Sequence, residues 1–171
     1  GLSRSECRRS FWLDENWLDE INSPEKAIYL GLFFADGCNN TSNKISNECY
    51  ICLHKQDANY LSRLASFFTD KPLRKSRNTI RMQSISKNWV KNLTNYGAVP
   101  AKSLILKWPN FLPESMESYF IRGFFEGDGG FCCGKKDKSY TIAITSTKEF
   151  LEELSQVIFK RLGVVSRIYY V

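Results

Sequence analysis

The sequence predicts an α+β protein built from two related halves, and three observations predict it. A nine-residue stretch occurs twice, as Tyr29-Leu30-Gly31-Leu32-Phe33-Phe34-Ala35-Asp36-Gly37 and as Ile121-Arg122-Gly123-Phe124-Phe125-Glu126-Gly127-Asp128-Gly129. The inner glycines, the aspartates and the closing glycines all recur 92 positions apart. After each copy comes a strand-like run and then a helix with an apolar stripe. Between the copies, from Lys71 to Lys107, nine Lys or Arg stand without a single Asp or Glu.

Each copy reads as an apolar helix. Ser23 N-caps the first with Pro24 at its first position, and Pro113-Glu114 opens the second, giving helices over 24–36 and 114–128. A mid-helix Gly costs roughly 1 kcal/mol relative to Ala, so Gly31 and Gly123 at matching positions point to two helices in close contact. An Asp in the last turn faces the negative end of the helix dipole, which favours a cation. Two in register, Asp36 and Asp128, predict that the helices bring their carboxylates together around a bound cation. Beside a basic surface, such a pair makes a Mg²⁺ site suited to phosphodiester chemistry.

In chain order, residues 1–23 form an N-terminal arm whose first ten residues are polar and basic. Phe11, Trp12, Leu13, Trp17 and Leu18 are expected to pack on the first half. Glu48 to His54 is a strand with Cys49, Ile51 and Leu53 on one face and Tyr50, Cys52 and His54 on the other. Asp57 caps a helix whose stripe is Tyr60, Leu61, Leu64, Phe67 and Phe68. A hairpin over 71–83 turns near Arg77-Asn78, with Ile80 and Met82 inward and Thr79, Arg81 and Gln83 outward. Residues 86–96 form a short helix burying Trp89, Val90 and Leu93, which closes a first repeat over 24–96. A connector, 97–112, leads to a second repeat over 113–171. There Tyr140 to Thr145 is a strand, Lys148 to Leu162 a helix with stripe Phe150, Leu151, Leu154, Ile158 and Leu162, and Val164 to Val171 the start of another strand. The strand and helix that complete the first repeat have no counterpart in the second.

The net charge of +6 and pI near 9.0 favour a polyanionic partner. No apolar run approaches the ~20 residues of a membrane span, and no signal-peptide core is present. The six cysteines (Cys7, Cys38, Cys49, Cys52, Cys132, Cys133) are therefore expected as thiols in a reducing intracellular compartment. Cys49 and Cys52 do not read as zinc ligands, because residues three apart on a strand face opposite ways and no second pair has matching spacing.

The paired motifs resemble those of the LAGLIDADG homing endonucleases in the form with two repeats on one chain. The resemblance runs from about residue 11 to the C-terminus. It rests on the packing glycines, the apolar run around them and the acid before each closing glycine. An earlier acidic position of the motif is Phe34 in the first copy and Glu126 in the second. The resemblance implies αββαββα repeats whose antiparallel sheets form a DNA-binding saddle around the two central helices. It also implies Mg²⁺, with Mn²⁺ substituting, held by Asp36 and Asp128 with backbone carbonyls beside them at Ala35 and Gly127. A peripheral Lys or Gln assists in that family; Lys55 and Gln56 fit best, with Lys102 and Lys148 as alternatives. His54, the only histidine, reads as a groove or surface residue.

A twisted antiparallel ribbon fits the major groove, where Arg and Gln read guanine and adenine edges. The expected DNA contacts are Tyr50, Arg74, Lys75, Arg77, Thr79, Arg81, Gln83, Lys102, Lys135 and Lys136, with Thr141, Ala143 and Thr145, or the opposite alternation, in the second half. The function implied is site-specific cleavage of both strands of a long, nearly non-palindromic duplex by a monomer. The alternative is a non-cleaving binder on the same scaffold, an intron maturase or DNA-binding regulator. A purely architectural repeat leaves the acid-free basic stretch without a reason. Gly1-Leu2 and Tyr170-Val171 lack the nucleophile and His-Asn pair expected of a whole intein, so the chain as it stands is expected to be the endonuclease portion of one or the product of an intron or free-standing gene.

Overall fold

The computed structural model describes residues 11–40, 47–134 and 139–169. Cys7, Lys135 and Lys136, the first ten residues of the expected arm and the last two of the expected final strand lie outside the described residues.

The first half runs α1 (Pro24–Asp36), β1 (Gly37–Asn40), β2 (Glu48–His54), α2 (Ala58–Ala65), β3 (Arg74–Lys75), β4 (Thr79–Ile85) and α3 (Lys87–Asn95). The second runs α4 (Glu117–Asp128), β5 (Gly129–Cys133), β6 (Tyr140–Ile144) and α5 (Lys148–Leu162). Hydroxyl caps start three helices: Ser23 accepts from the Lys26 amide, Ser86 from Trp89 and Thr147 from Phe150. Gly163, with φ of 66°, ends α5 in the left-handed conformation that a residue with a Cβ resists.

All pairing is antiparallel. One sheet has the order β1-β2-β4-β3, and the other holds β5 and β6. The two are built alike where they leave the motif helices: Gly37 pairs with Ile51, and Gly129 pairs with Ile144. The αββαββα pattern implies a strand at each of these places, but neither β1 nor β5 was located from the residues themselves. Gly-Cys-Asn-Asn has little strand propensity, and it is extended because it pairs with β2.

The α1–α4 packing is reciprocal. A Cβ on Gly31 would collide with the Phe120 carbonyl, and one on Gly123 with the Ile28 carbonyl. Positions 28 and 31 of the first motif map onto 120 and 123 of the second, so each contact is the other turned about a local two-fold axis. Ala35 meets Gly127, its own counterpart, and the axis passes between them. Each half has an aromatic core against this pair. Trp17, Tyr29, Phe68 and Trp89 cluster on one side; Trp108, Phe120, Phe124 and Phe150 cluster on the other; Phe34 reaches Phe120 at 5.3 Å across the seam.

Several expected burials do not occur. Phe11 and Trp12 stay exposed while Leu13, Trp17 and Leu18 pack inward. α2 stops at Ala65, so Phe67 leaves the stripe and faces solvent, whereas Phe68 is buried. Leu162 is exposed at the end of α5, and residues 164–169 form no strand. The last point leaves the halves unequal. Asn39 and Cys49, a cross-strand pair, are buried beneath α3 and the residues after it, and the Asn39 amide donates to Thr94 Oγ1 and to the Ala98 carbonyl. Their counterparts Phe131 and Ile142 are 77% and 66% exposed.

Gly31→Ala tests the close approach. Overpacking costs about 1–3 kcal/mol, more where the obstacle is backbone, so the thermal midpoint should fall by several degrees. Gly130→Ala, with nothing near its Cβ position, should melt within about 0.5 kcal/mol of the parent. Equal midpoints for the two variants would contradict the packing described.

Candidate functional site

Both motif helices end in the same way. The amide of Gly37 donates to the Phe33 carbonyl, that of Gly129 to the Phe125 carbonyl, and each glycine then starts a strand. Asp36 and Asp128 are thus the last helical residues, fixed at the joint between helix and sheet. Because the helices touch at Ala35 and Gly127, the joints lie together. A Cβ on Gly127 would stand 2.9 Å from Asp36 Oδ2, which places that carboxylate over the backbone just before Asp128. Both acids remain accessible above buried apolar helices.

Electrostatics record the same meeting. Partial burial raises the pKa of Asp36, and burial together with the charge of Asp36 raises that of Asp128; Lys102 opposes both shifts. Lys102 is only 6% exposed. Its Nζ donates to the Gly37 carbonyl at 2.6 Å and the Ala35 carbonyl at 3.3 Å, tying the connector to the end of α1. Ala101, just before it, has φ of 57°, a left-handed backbone that L-residues adopt at a cost of about 1–2 kcal/mol. Burial lowers the Lys102 pKa, while Asp128, Cys38 and Asp36 pull it back up. Two carboxylates against one ammonium leave the group short of one positive charge when all three are ionised.

This donor set fits a hard cation. Among the described residues no three His, Cys, Asp or Glu side chains converge. Two carboxylates supplemented by carbonyls and water are what Mg²⁺ accepts, whereas zinc takes nitrogen and sulfur. Burial pushes the Cys49 thiol up to about 12, which keeps it protonated, and Cys52 stands on the opposite face of β2.

Beside the helix ends, the outward face of the first sheet carries Tyr50, Arg81 and Gln83. The Arg81 guanidinium lies over the Tyr50 ring at 3.9 Å from its centroid. A cleft of 230 Å³ is lined by Cys52, Arg74, Ser76, Thr79 and Arg81. Lys75 and Arg77 are exposed at the hairpin turn. On the second sheet Thr141, Ala143 and Thr145 are exposed, and the Thr145 amide donates to the Asp128 carbonyl at 3.2 Å.

Comparison with known proteins bears on this geometry. Residues 115–171 match the family model described as a LAGLIDADG-like domain. The structure of meganuclease I-SmaMI bound to uncleaveable DNA superposes with a TM-score of 0.52 at 14% identity, over 87% of this chain and 75% of that one. This is the LAGLIDADG fold. I-SmaMI bound to uncleaved DNA with calcium ions gives 0.47 at 16% identity, over 83% of this chain and 73% of that one. LAGLIDADG meganuclease I-CpaMI bound to uncleaved DNA gives 0.39 at 16%, over 70% and 64%. No curated protein matches the sequence. The family resemblance read from the two motifs and the α+β architecture with antiparallel sheets are both borne out. No helix among the described residues is long and apolar enough to cross a membrane.

Within the LAGLIDADG frame, the sequence-predicted residues separate into groups. Gly31 and Gly123 pack the helices, and Asp36, Asp128, Ala35 and Gly127 converge. Lys55 and Gln56 do not join them: they form an exposed turn, and Lys55 is four residues beyond Ile51, the partner of Gly37. The basic group beside the acids is Lys102. It was expected both as an alternative for the assisting basic group and among the DNA contacts; buried and directed at carbonyls, it is not available as a surface contact. Lys148 is exposed on α5, 3.8 Å from Glu152. His54 is exposed and accepts from the Gln56 amide, and Glu126 pairs with Arg122 at 3.0 Å, away from the acid pair. Glu48, which touches both Arg81 and Gln83, was not singled out, because an isolated acid at the start of a strand carries no signal.

The raised carboxylates make a prediction about the metal-free protein. A folded-state pKa above the ordinary 3.8 means that ionisation opposes folding. The penalty is absent below pH 3.8, grows as pH rises through the raised value and is complete above it. Asp128→Asn should therefore be more stable than the parent at neutral pH with chelator present, and the difference should vanish on acidification. Denaturant unfolding of both proteins across pH measures this; a variant less stable at neutral pH would contradict it.

Proposed function

We propose that the protein is a site-specific double-strand DNA endonuclease. The observation that carries this reading is the convergence of Asp36 and Asp128 at the ends of two packed helices, beside a buried lysine and a basic sheet face. Asp36 and Asp128, with the carbonyls of Ala35 and Gly127, would hold Mg²⁺, with Mn²⁺ as a substitute. When bound, that ion supplies charge stabilisation at the phosphate and acidifies a water.

The chain's own residues define the rest. The last turns of α1 and α4 hold the carboxylates at the joint with the sheets, so a duplex seated on the sheets presents its phosphates to them. Lys102 takes the basic role in preference to Lys55 and Gln56. Its ammonium fixes the Ala35 and Gly37 carbonyls and balances part of the carboxylate charge, and its lowered pKa favours giving up a proton locally. Arg81, Gln83, Thr79 and Tyr50 face the bases of one half-site, with Arg74, Lys75 and Arg77 toward the backbone. Thr141, Ala143 and Thr145 face the other. Since the two faces differ, the target is long and nearly non-palindromic, read by a monomer.

A second reading is a non-cleaving nucleic-acid binder on this scaffold, which would use the same basic sheet face without needing a metal at the carboxylates. Incubation with a randomised duplex library and Mg²⁺, followed by sequencing of the ends, separates the two. One recurrent long site cut with staggered ends, and lost in Asp36→Asn, is the result expected of the nuclease. Selective retention without cutting would favour the binder, and neither outcome would reject both. Lys102→Met should reduce cleavage by about a hundredfold or more, the low end of typical acid–base or electrostatic contributions, while retaining site selection. Undiminished cutting would remove Lys102 from the mechanism.

A further inference from the structure

On a face expected to meet a polyanion, one side chain has the wrong sign. Glu48 opens β2 between Asn40 of β1 and Ile85 of β4, and its side chain reaches diagonally to Gln83 and Arg81 on the same outward face. Gln83 Nε2 donates to Glu48 Oε1 at 2.8 Å, and the Arg81 guanidinium approaches the same oxygen at 3.7 Å. Arg81 is also stacked over Tyr50, which is paired directly with Gln83 in the β2–β4 ladder. Tyr50, Arg81, Gln83 and Glu48 thus form one connected cluster, in which Glu48 accepts from Gln83 and pairs in charge with Arg81.

We propose that Glu48 is a specificity-determining residue of this face, a positioning carboxylate that fixes Arg81 and Gln83 for reading base pairs about two steps apart. The inference rests on the DNA-binding reading above and deepens it. An ionised carboxylate only accepts hydrogen bonds, so the Gln83 amide must turn its NH₂ toward Glu48. That removes the two-fold ambiguity of an amide. Gln83 then presents one remaining N–H and its oxygen outward, the pattern that pairs with adenine N7 and N6. For Arg81, the stack on Tyr50 sets the plane of the guanidinium and Glu48 engages one side, leaving the other donors for guanine O6 and N7. Arg81 and Gln83 are two residues apart on one strand, about 7 Å. That spacing matches roughly two base-pair steps of a duplex.

The charge of Glu48 works against the phosphates, so its contribution to non-specific affinity is negative. Nor does the fold depend on it. The Glu48–Arg81 pair is partly exposed, and pairs of that kind contribute little to stability. Selection among sequences is the property that remains for the cluster to supply. Preorganised donors lose less freedom on docking, and they reject a wrong base because the frozen side chains cannot turn to suit it.

Glu48→Gln tests this with nearly unchanged shape. The replacement removes the charge and can either donate or accept, so the Gln83 amide is free to flip. Binding of parent and variant to a randomised duplex library would be sequenced at fixed salt, alongside affinity for an arbitrary duplex and the thermal midpoint. Discrimination at two positions about two steps apart should fall about tenfold, within the roughly 5- to 150-fold given by a bidentate base contact. Affinity for arbitrary DNA should hold or rise a few-fold, with an unchanged midpoint. A variant profile superimposable on a selective parent would overturn the role of Glu48 and leave the DNA-binding reading intact. So would a loss spread evenly over all sequences. A parent with no base preference would instead overturn the reading on which the inference rests.

Discussion

The close approach of α1 and α4 at Gly31 and Gly123 is the constraint on which the rest of the structure depends. Neither position has room for a methyl group, since each faces the backbone of the opposite helix. Contact at that range fixes the two helices along their length and brings their last turns together. Because each helix passes into a strand at its closing glycine, the same contact also sets where both sheets begin. A loosening at the glycines would therefore move the carboxylates and the sheet faces together. The aromatic clusters on either side, joined through Phe34 and Phe120, hold the pair in place from outside.

A second constraint is the balance of charge where those helices end. Two carboxylates at the negative ends of two helix dipoles repel each other and the dipoles. Lys102 offsets part of this, reaching the end of α1 from the connector through the left-handed backbone at Ala101. The remainder is what the proposed cation would offset. Such an arrangement lowers the stability of the empty protein for the sake of the site, as strained or charge-frustrated functional sites do elsewhere. The halves do not share the load equally. The first sheet is covered by α3 and extended by β4 and β3, whereas among the described residues the second sheet has two strands and bare apolar side chains.

Much of the fold was legible because the repeat reports on itself. A single Gly or Asp-Gly in a helix says little, but matched pairs in register imply contact and convergence, and that is what the structure contains. β2, β4 and α3 were also legible, since alternation and the Trp89, Val90, Leu93 stripe encode which face is buried. What stayed hidden depends on tertiary partners. β1 and β5 have weak local propensity and are strands because a neighbour pairs with them. Phe67 and Leu162 continue a helical stripe in sequence, but the helix or its neighbour stops before they can be covered. Lys102 lies in a polar connector, where nothing local distinguishes a buried lysine from a solvated one. Glu48 acquires meaning only through Arg81 and Gln83, more than thirty residues away in the chain.

The meeting of Asp36 and Asp128 can be tested through their titration. Carboxyl-resolved NMR of the metal-free protein would give the Asp128 titration in the parent and in Asp36→Asn. If the helix ends adjoin as described, removing the Asp36 charge lowers the Asp128 pKa toward, but not fully to, the ordinary value, because burial still raises it. An Asp128 titration unmoved by the substitution would mean that the two carboxylates do not share a site.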